Sequence, residues 1–173
     1  VRPTLTRAIS FDPGYRNLGI AICEEGRLLY AYTLTVGSPH APLKMGKTAV
    51  DFIDDLRITY GPFDVVTFET PPFVKNMKVS CLIWHVMGAI TGWAATHGYP
   101  IWNIAPITLK KVCCNVMGHA WHNKFQPKKS EIALAVLRSY PYIDTDHAAP
   151  RSDHADDAAL VAYAYFKRHA FGA

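Results

Sequence analysis

Two short apolar runs in this chain each end in an acid. Ala8-Ile9-Ser10-Phe11 leads into Asp12, and Val65-Val66-Thr67-Phe68 leads into Glu69. Runs of this length and content read as buried strands. A carboxylate at the end of a buried strand needs a partner, because a lone charge away from water is costly. A third group of acids, Asp153, Asp156 and Asp157, crowds the first turn of what reads as the last helix. If the first and fourth strands are neighbours, Asp12 and Glu69 stand side by side, and the acidic helix start closes the same corner. Clustered carboxylates repel each other unless a cation neutralises them. Hard oxygen donors suit Mg²⁺ or Mn²⁺. Plainer roles exist for each: Asp12 before Pro13-Gly14 as a turn former, and the helix acids as a cap and as partners of the helix dipole.

The rest of the chain follows the same periodicities. Strands are expected at 7–12, 18–23, 27–35, 63–69 and 100–104, and helices at 44–60, 79–97, 106–117, 128–140 and 153–169. Three strands joined by hairpins and followed by βαβ units make an α/β fold, a five-stranded mixed sheet with helices on both faces. At 173 residues the chain reads as one domain over 1–173. The helix at 79–97 is apolar nearly all round, which implies burial on more than one side. Gly88 and Gly92 on it would admit a second helix at close range.

Composition narrows the function classes. Half the residues are hydrophobic, enough for a packed core, which excludes a disordered chain. The net charge of +4 fits a nucleic-acid partner without requiring one. The four cysteines do not make a disulfide framework in a chain this long, so an intracellular, reducing compartment is expected. Cys113, Cys114, His119 and His122 lack the C-x₂-C spacing of a zinc site. No stretch reads as a membrane span, and no membrane partner is expected.

Motifs sharpen this into a family resemblance. The segment Ile9-Ser-Phe-Asp12-Pro-Gly-Tyr-Arg16-Asn-Leu-Gly19 resembles the opening of the RuvC-type Holliday junction resolvases of the RNase H-like superfamily: strand, Asp-Pro-Gly-x-Arg-x-x-Gly, strand. Val65-Val-Thr-Phe-Glu69 and the Phe73-Val-Lys75-Asn76 that follows are similar to that family's second acid and its loop. Pro106-Ile-Thr-Leu-Lys110-Lys111, and later Lys128-Lys129-Ser-Glu, resemble its basic stretch. Asp153-His154-Ala-Asp156-Asp157-Ala158 resembles its closing motif, in which paired acids begin a helix of small residues.

The resemblance implies a metal-dependent endonuclease that cuts four-way DNA junctions as a homodimer. Asp12 would bridge two Mg²⁺ ions, with Mn²⁺ as a substitute, and Glu69 and the helix acids would complete the set. In the family the final acid is followed by a small residue, which favours Asp157, partnered by Asp153. Asp156 with Asp153, and His154 with Asp157, remain alternatives. Lys110 or Lys129 would neutralise charge on the phosphate. Phe73 would stack at the crossover, with Lys75, Asn76, Lys78, Arg16, Tyr15, Lys111 and Lys128 along the DNA. The apolar second side of the 79–97 helix would be the dimer face. Competing readings are an RNase H-like nuclease on RNA–DNA hybrids or other branched DNA, a nucleotide-binding lobe, and a DNA-binding module without catalysis.

Overall fold

A computed structural model describes residues 6–25, 27–36, 41–71, 76–118, 120, 126–139 and 153–169. The strands are β1 (Arg7–Pro13), β2 (Asn17–Glu24), β3 (Arg27–Thr35), β4 (Val65–Glu69) and β5 (Ile101–Ile104). The helices are α1 (Pro42–Tyr60), α2 (Met77–Thr96), α3 (Pro106–Cys114), α4 (Lys129–Ser139) and α5 (Asp153–His169). The strands form one sheet in the order β3-β2-β1-β4-β5. β1, β2 and β3 pair antiparallel, as hairpins must, while β1–β4 and β4–β5 pair parallel. This is the expected five-stranded mixed sheet, with β1 and β4 as neighbours.

Alternation along the strands sends successive side chains to two separate cores. Ile9, Phe11, Val66 and Phe68 face α1 and α2 through Ile53, Met45, Val86 and Ile90. Ala8, Ala21 and Val65 face α3, α4 and α5. The sheet side of α5 is built from Ala155, Ala158, Ala159 and Ala162, all buried, so this helix lies close to the strands. Helices therefore cover both faces.

Several boundaries differ from the sequence reading for local reasons. β1 continues through Pro13, which pairs with Leu18 of β2. A proline is tolerated there because β4 no longer pairs with β1 at that point. β4 begins at Val65 rather than 63, since Asp64 is occupied at the edge: its carboxylate accepts from Arg7 N–H at 2.7 Å, and its own N–H donates to the Arg7 carbonyl at 2.8 Å. α1 starts at Pro42, which suits a first helical turn. α3 stops at Cys114 and tightens into a 3₁₀ turn, Asn115–Met117, closed by Gly118 at φ +76°.

α2 buries one face only. Ile83, Val86, Met87, Ile90, Trp93 and Ala94 pack inward, while Met77, Cys81, Trp84, Gly88, Thr91 and Ala95 are exposed. Against the sequence reading, α2 is long and apolar enough by length and composition to cross a membrane. Core helices of globular proteins share that property, and the inward face of α2 sits in a packed cluster here.

Candidate metal centre

The three acidic sites meet at the C-terminal edge of the sheet. Asp12 comes from β1, Glu69 from the last position of β4, and Asp157 from the first turns of α5. One carboxylate oxygen of each lies within 4.8 Å of the others. Glu69 is buried, and Asp12 and Asp157 are half-buried. The convergence depends on how closely α5 can approach. A Cβ on Gly19 would sit 1.9 Å from the His154 carbonyl oxygen, so only glycine lets the start of α5 rest on β2 opposite Asp12. The motif reading gives Gly19 no role of its own, and the close approach to His154 supplies one.

Lys129, at the start of α4, lies among the three acids. Its ammonium is 2.7 Å from Asp157 and 3.7 Å from Asp12, and it donates to Glu69. Burial pulls the Lys129 ammonium toward neutrality, but Asp12, Glu69 and Asp157 outweigh that and hold it above its usual range. Burial pushes Glu69 up to about 7, with the neighbouring acids adding to the shift and Lys129 opposing it. Burial also raises Asp157. His154 Nδ1 lies 2.8 Å from Asp12 Oδ2, and this hydrogen bond raises the imidazole pKa.

These shifts share one sign. Glu69 and Asp157 bind protons more tightly in the fold than in the unfolded chain, and so does His154. Stability contributed by the protonated forms is present at acid pH and is lost as pH rises through the folded-state values, about 7 for Glu69. Metal-free protein should therefore melt lower at pH 8 than at pH 5.5, by roughly 5 °C. A divalent cation should remove most of the difference. Thermal melts in EDTA and in Mg²⁺ at both pH values check this. A site whose donors are carboxylate oxygens fits a hard divalent cation better than a soft one.

Comparison with known proteins follows the same line. No protein-family model matches the chain. Crossover junction endodeoxyribonuclease RuvC from Alkaliphilus oremlandii is 29% identical over 140 residues, covering 79% of this chain and 83% of the relative. The enzyme of the same name from Ruminiclostridium cellulolyticum is 24% identical over 168 residues, 95% of this chain and 94% of the relative. In sequence the chain is thus similar to RuvC enzymes, and its fold is similar as well. T. thermophilus RuvC, solved in complex with a Holliday junction substrate, superposes with a TM-score of 0.76 at 22% identity over 96% of both chains. The yeast mitochondrial Holliday junction resolvase Ydc2 gives a TM-score of 0.70 at 12% identity, over 96% of this chain and 80% of its own.

Within this fold the remaining candidates separate. Asp153 is exposed and stands outside the group formed by Asp12, Glu69 and Asp157. His154, three residues before Asp157 and on the same side of α5, is the residue in contact with Asp12. The favoured pairing of Asp157 with Asp153 therefore differs from the contact observed. The reason is the docking of α5 on Gly19, which turns His154 toward β1. Asp153 and Asp156 instead line a cleft of about 440 Å³ with Lys129, Ser130 and Asp157.

Lys110 lies half-buried on α3, and Lys129 is the lysine paired with the acids. Arg16, Lys78, Lys111 and Lys128 are exposed, and Tyr15 is half-buried. Asn76 is exposed, and its side chain caps α2 by accepting from the Lys78 and Val79 N–H groups at 3.1 and 3.4 Å. Phe73 and Lys75 lie outside the described residues, as do His119 and His122. Cys113 and Cys114 are buried free thiols, and burial pushes Cys113 up to about 12, which suits core packing rather than metal ligation.

Proposed function

We propose that this protein is a divalent-metal-dependent endonuclease that cuts four-way DNA junctions as a homodimer. The observation that carries the reading is the meeting of Asp12, Glu69 and Asp157 at one corner of a RuvC-type sheet. The curated relatives are named as crossover junction endodeoxyribonucleases, and the T. thermophilus protein was solved on a Holliday junction. Both support the substrate.

Asp12, Glu69 and Asp157 would hold two Mg²⁺ ions, or Mn²⁺ in their place. When bound, such ions lower the pKa of a water nucleophile and stabilise the departing 3′ oxygen, leaving 5′-phosphate and 3′-hydroxyl ends. His154 orients the Asp12 carboxylate through Nδ1. Lys129 supplies positive charge beside the acids and is the better placed lysine to offset charge that develops on the phosphate, with Lys110 as the second candidate. Asp153 and Asp156, on the rim of the neighbouring cleft, are further candidate metal ligands. Arg16, Lys78, Lys111 and Lys128 offer exposed cations to DNA phosphates, with Tyr15, Asn76, Phe73 and Lys75 as the other DNA contacts of this reading. Action on DNA places the protein inside the cell, and four free cysteines fit a reducing compartment there.

Two equivalent strands must be cut, and a two-fold dimer presents two equivalent sites. The exposed residues of α2 supply the surface. Met77, Cys81, Trp84, Gly88, Thr91 and Ala95 recur at alternating steps of four and three, the spacing of a helix–helix seam. A Cβ added to Gly88 or Gly92 would meet nothing within 4 Å, which leaves room for a facing helix. Trp84→Glu should convert the dimer to monomer in analytical ultracentrifugation and lower junction cutting by roughly tenfold or more, since a buried interface aromatic contributes about 2 kcal/mol or more. A variant that stays dimeric contradicts this seam.

The direct test compares a four-way junction, an RNA–DNA hybrid and linear duplex, each with and without Mg²⁺. Paired cuts in the junction, dependent on Mg²⁺, are expected. Preferential cutting of the hybrid would replace this reading with an RNase H-like one.

A further inference from the structure

The β1–β4 ladder ends at Phe11 opposite Phe68. Beyond it β1 continues along β2, with Asp12 opposite Gly19, and β4 continues along β5, with Glu69 opposite Ile104. The two acids therefore stand where their strands part, each tied to a different neighbour. The ladder that joins β1 to β4 stops one residue short of setting the distance between them.

One step back on the same face, Ser10 lies directly opposite Thr67. Both are fully buried, and their hydroxyl oxygens are 2.5 Å apart. Among the described residues these two and Glu69 are the buried polar side chains. The adjoining positions of that layer, Ala8 and Val65, are apolar. An alanine–valine pair would fill this layer with no polar group to satisfy, so packing alone does not account for the hydroxyls. A hydroxyl–hydroxyl bond adds direction: it fixes the rotamers of both side chains and the separation of the two strands. On the opposite face Phe11 and Phe68 stack with centroids 5.4 Å apart. The strands are braced on both faces just before they diverge.

We propose that the Ser10–Thr67 hydroxyl pair is a positioning clamp, which holds β1 and β4 at the spacing that lets Asp12 and Glu69 ligate the same divalent ion. The inference rests on the metal-centre reading above. The pair touches no substrate and acts through the two carboxylates.

Mn²⁺ alone is the probe, with binding to the intact protein followed by electron paramagnetic resonance, so the readout does not depend on cleavage. The double variant Ser10→Ala, Thr67→Val nearly keeps the side-chain volume and should melt close to wild type. It should bind Mn²⁺ roughly tenfold more weakly, the loss expected when support behind a metal ligand is removed. Thr67→Ser keeps both hydroxyls and should bind as wild type does. Wild-type Mn²⁺ affinity in the double variant overturns the clamp, as does equal weakening in Thr67→Ser. A double variant that fails to fold also overturns it, because the pair then holds the sheet rather than the acids. Wild type that binds Mn²⁺ but cuts no junction removes the functional reading and leaves the clamp standing. Wild type that binds no Mn²⁺ removes both.

Discussion

Asp12→Asn should abolish junction cleavage while junction binding persists. Asp12 sits within 4.8 Å of Glu69 and Asp157 and accepts from His154, so the amide removes a ligand charge from the middle of the cluster. Metal ions contribute several kcal/mol of transition-state stabilisation, so the rate should fall by roughly three orders of magnitude or more. Junction affinity, measured in EDTA by gel shift, depends on phosphate contacts elsewhere and should change by less than about threefold. The substitution relieves repulsion from Glu69 and Asp157 but weakens the pairing with Lys129 and His154, so the metal-free variant should melt close to wild type. Loss of binding together with a lower melting temperature would make Asp12 a structural residue instead.

Gly19→Ala should be nearly as damaging, although Gly19 carries no chemistry. The added methyl would meet the His154 carbonyl oxygen at 1.9 Å and its carbon at 2.4 Å. Both are backbone atoms at the start of α5 and cannot rotate aside. The helix must lift, and Asp157 and His154 move away from Asp12 with it. A displacement near 1 Å at such a site costs about 100-fold in rate, and overpacking adds about 1–3 kcal/mol of destabilisation. Single-turnover cleavage and a urea melt read the two effects separately. Full activity in a stably folded Gly19→Ala would show that the start of α5 does not set the site.

How far the site was legible in the sequence depended on the kind of residue. Asp12 and Glu69 announced themselves because each interrupts the apolar alternation of a strand that is buried on both faces. Hairpin and crossover connections indicate a mixed sheet but leave the neighbouring of β1 and β4 as a condition, which the observed strand order meets. The partner on α5 could not be chosen that way. Asp153, His154, Asp156 and Asp157 fall within two turns, and helical spacing alone lets either Asp153 or His154 share a face with Asp157. The choice is made by where α5 docks, and that is set by a glycine on a different element. Lys129 was ambiguous for a similar reason. It stands more than a dozen residues after α3, so its place beside Glu69 is a property of the packing of α4 on α5 rather than of a motif. Asn76 reads as a DNA contact because of its neighbours, and its cap on α2 is legible only once the start of that helix is known. Ser10 and Thr67 gave no sign at all, since single hydroxyls within strands are common and only the register places them opposite each other.

The position of a bound divalent ion tests the metal centre most directly. Crystals soaked in Mn²⁺ and measured at the manganese absorption edge should show anomalous density at ordinary coordination distance from the carboxylates of Asp12, Glu69 and Asp157, with the Lys129 ammonium moved off them. Density elsewhere on the molecule, with these three acids still paired to Lys129, would contradict it.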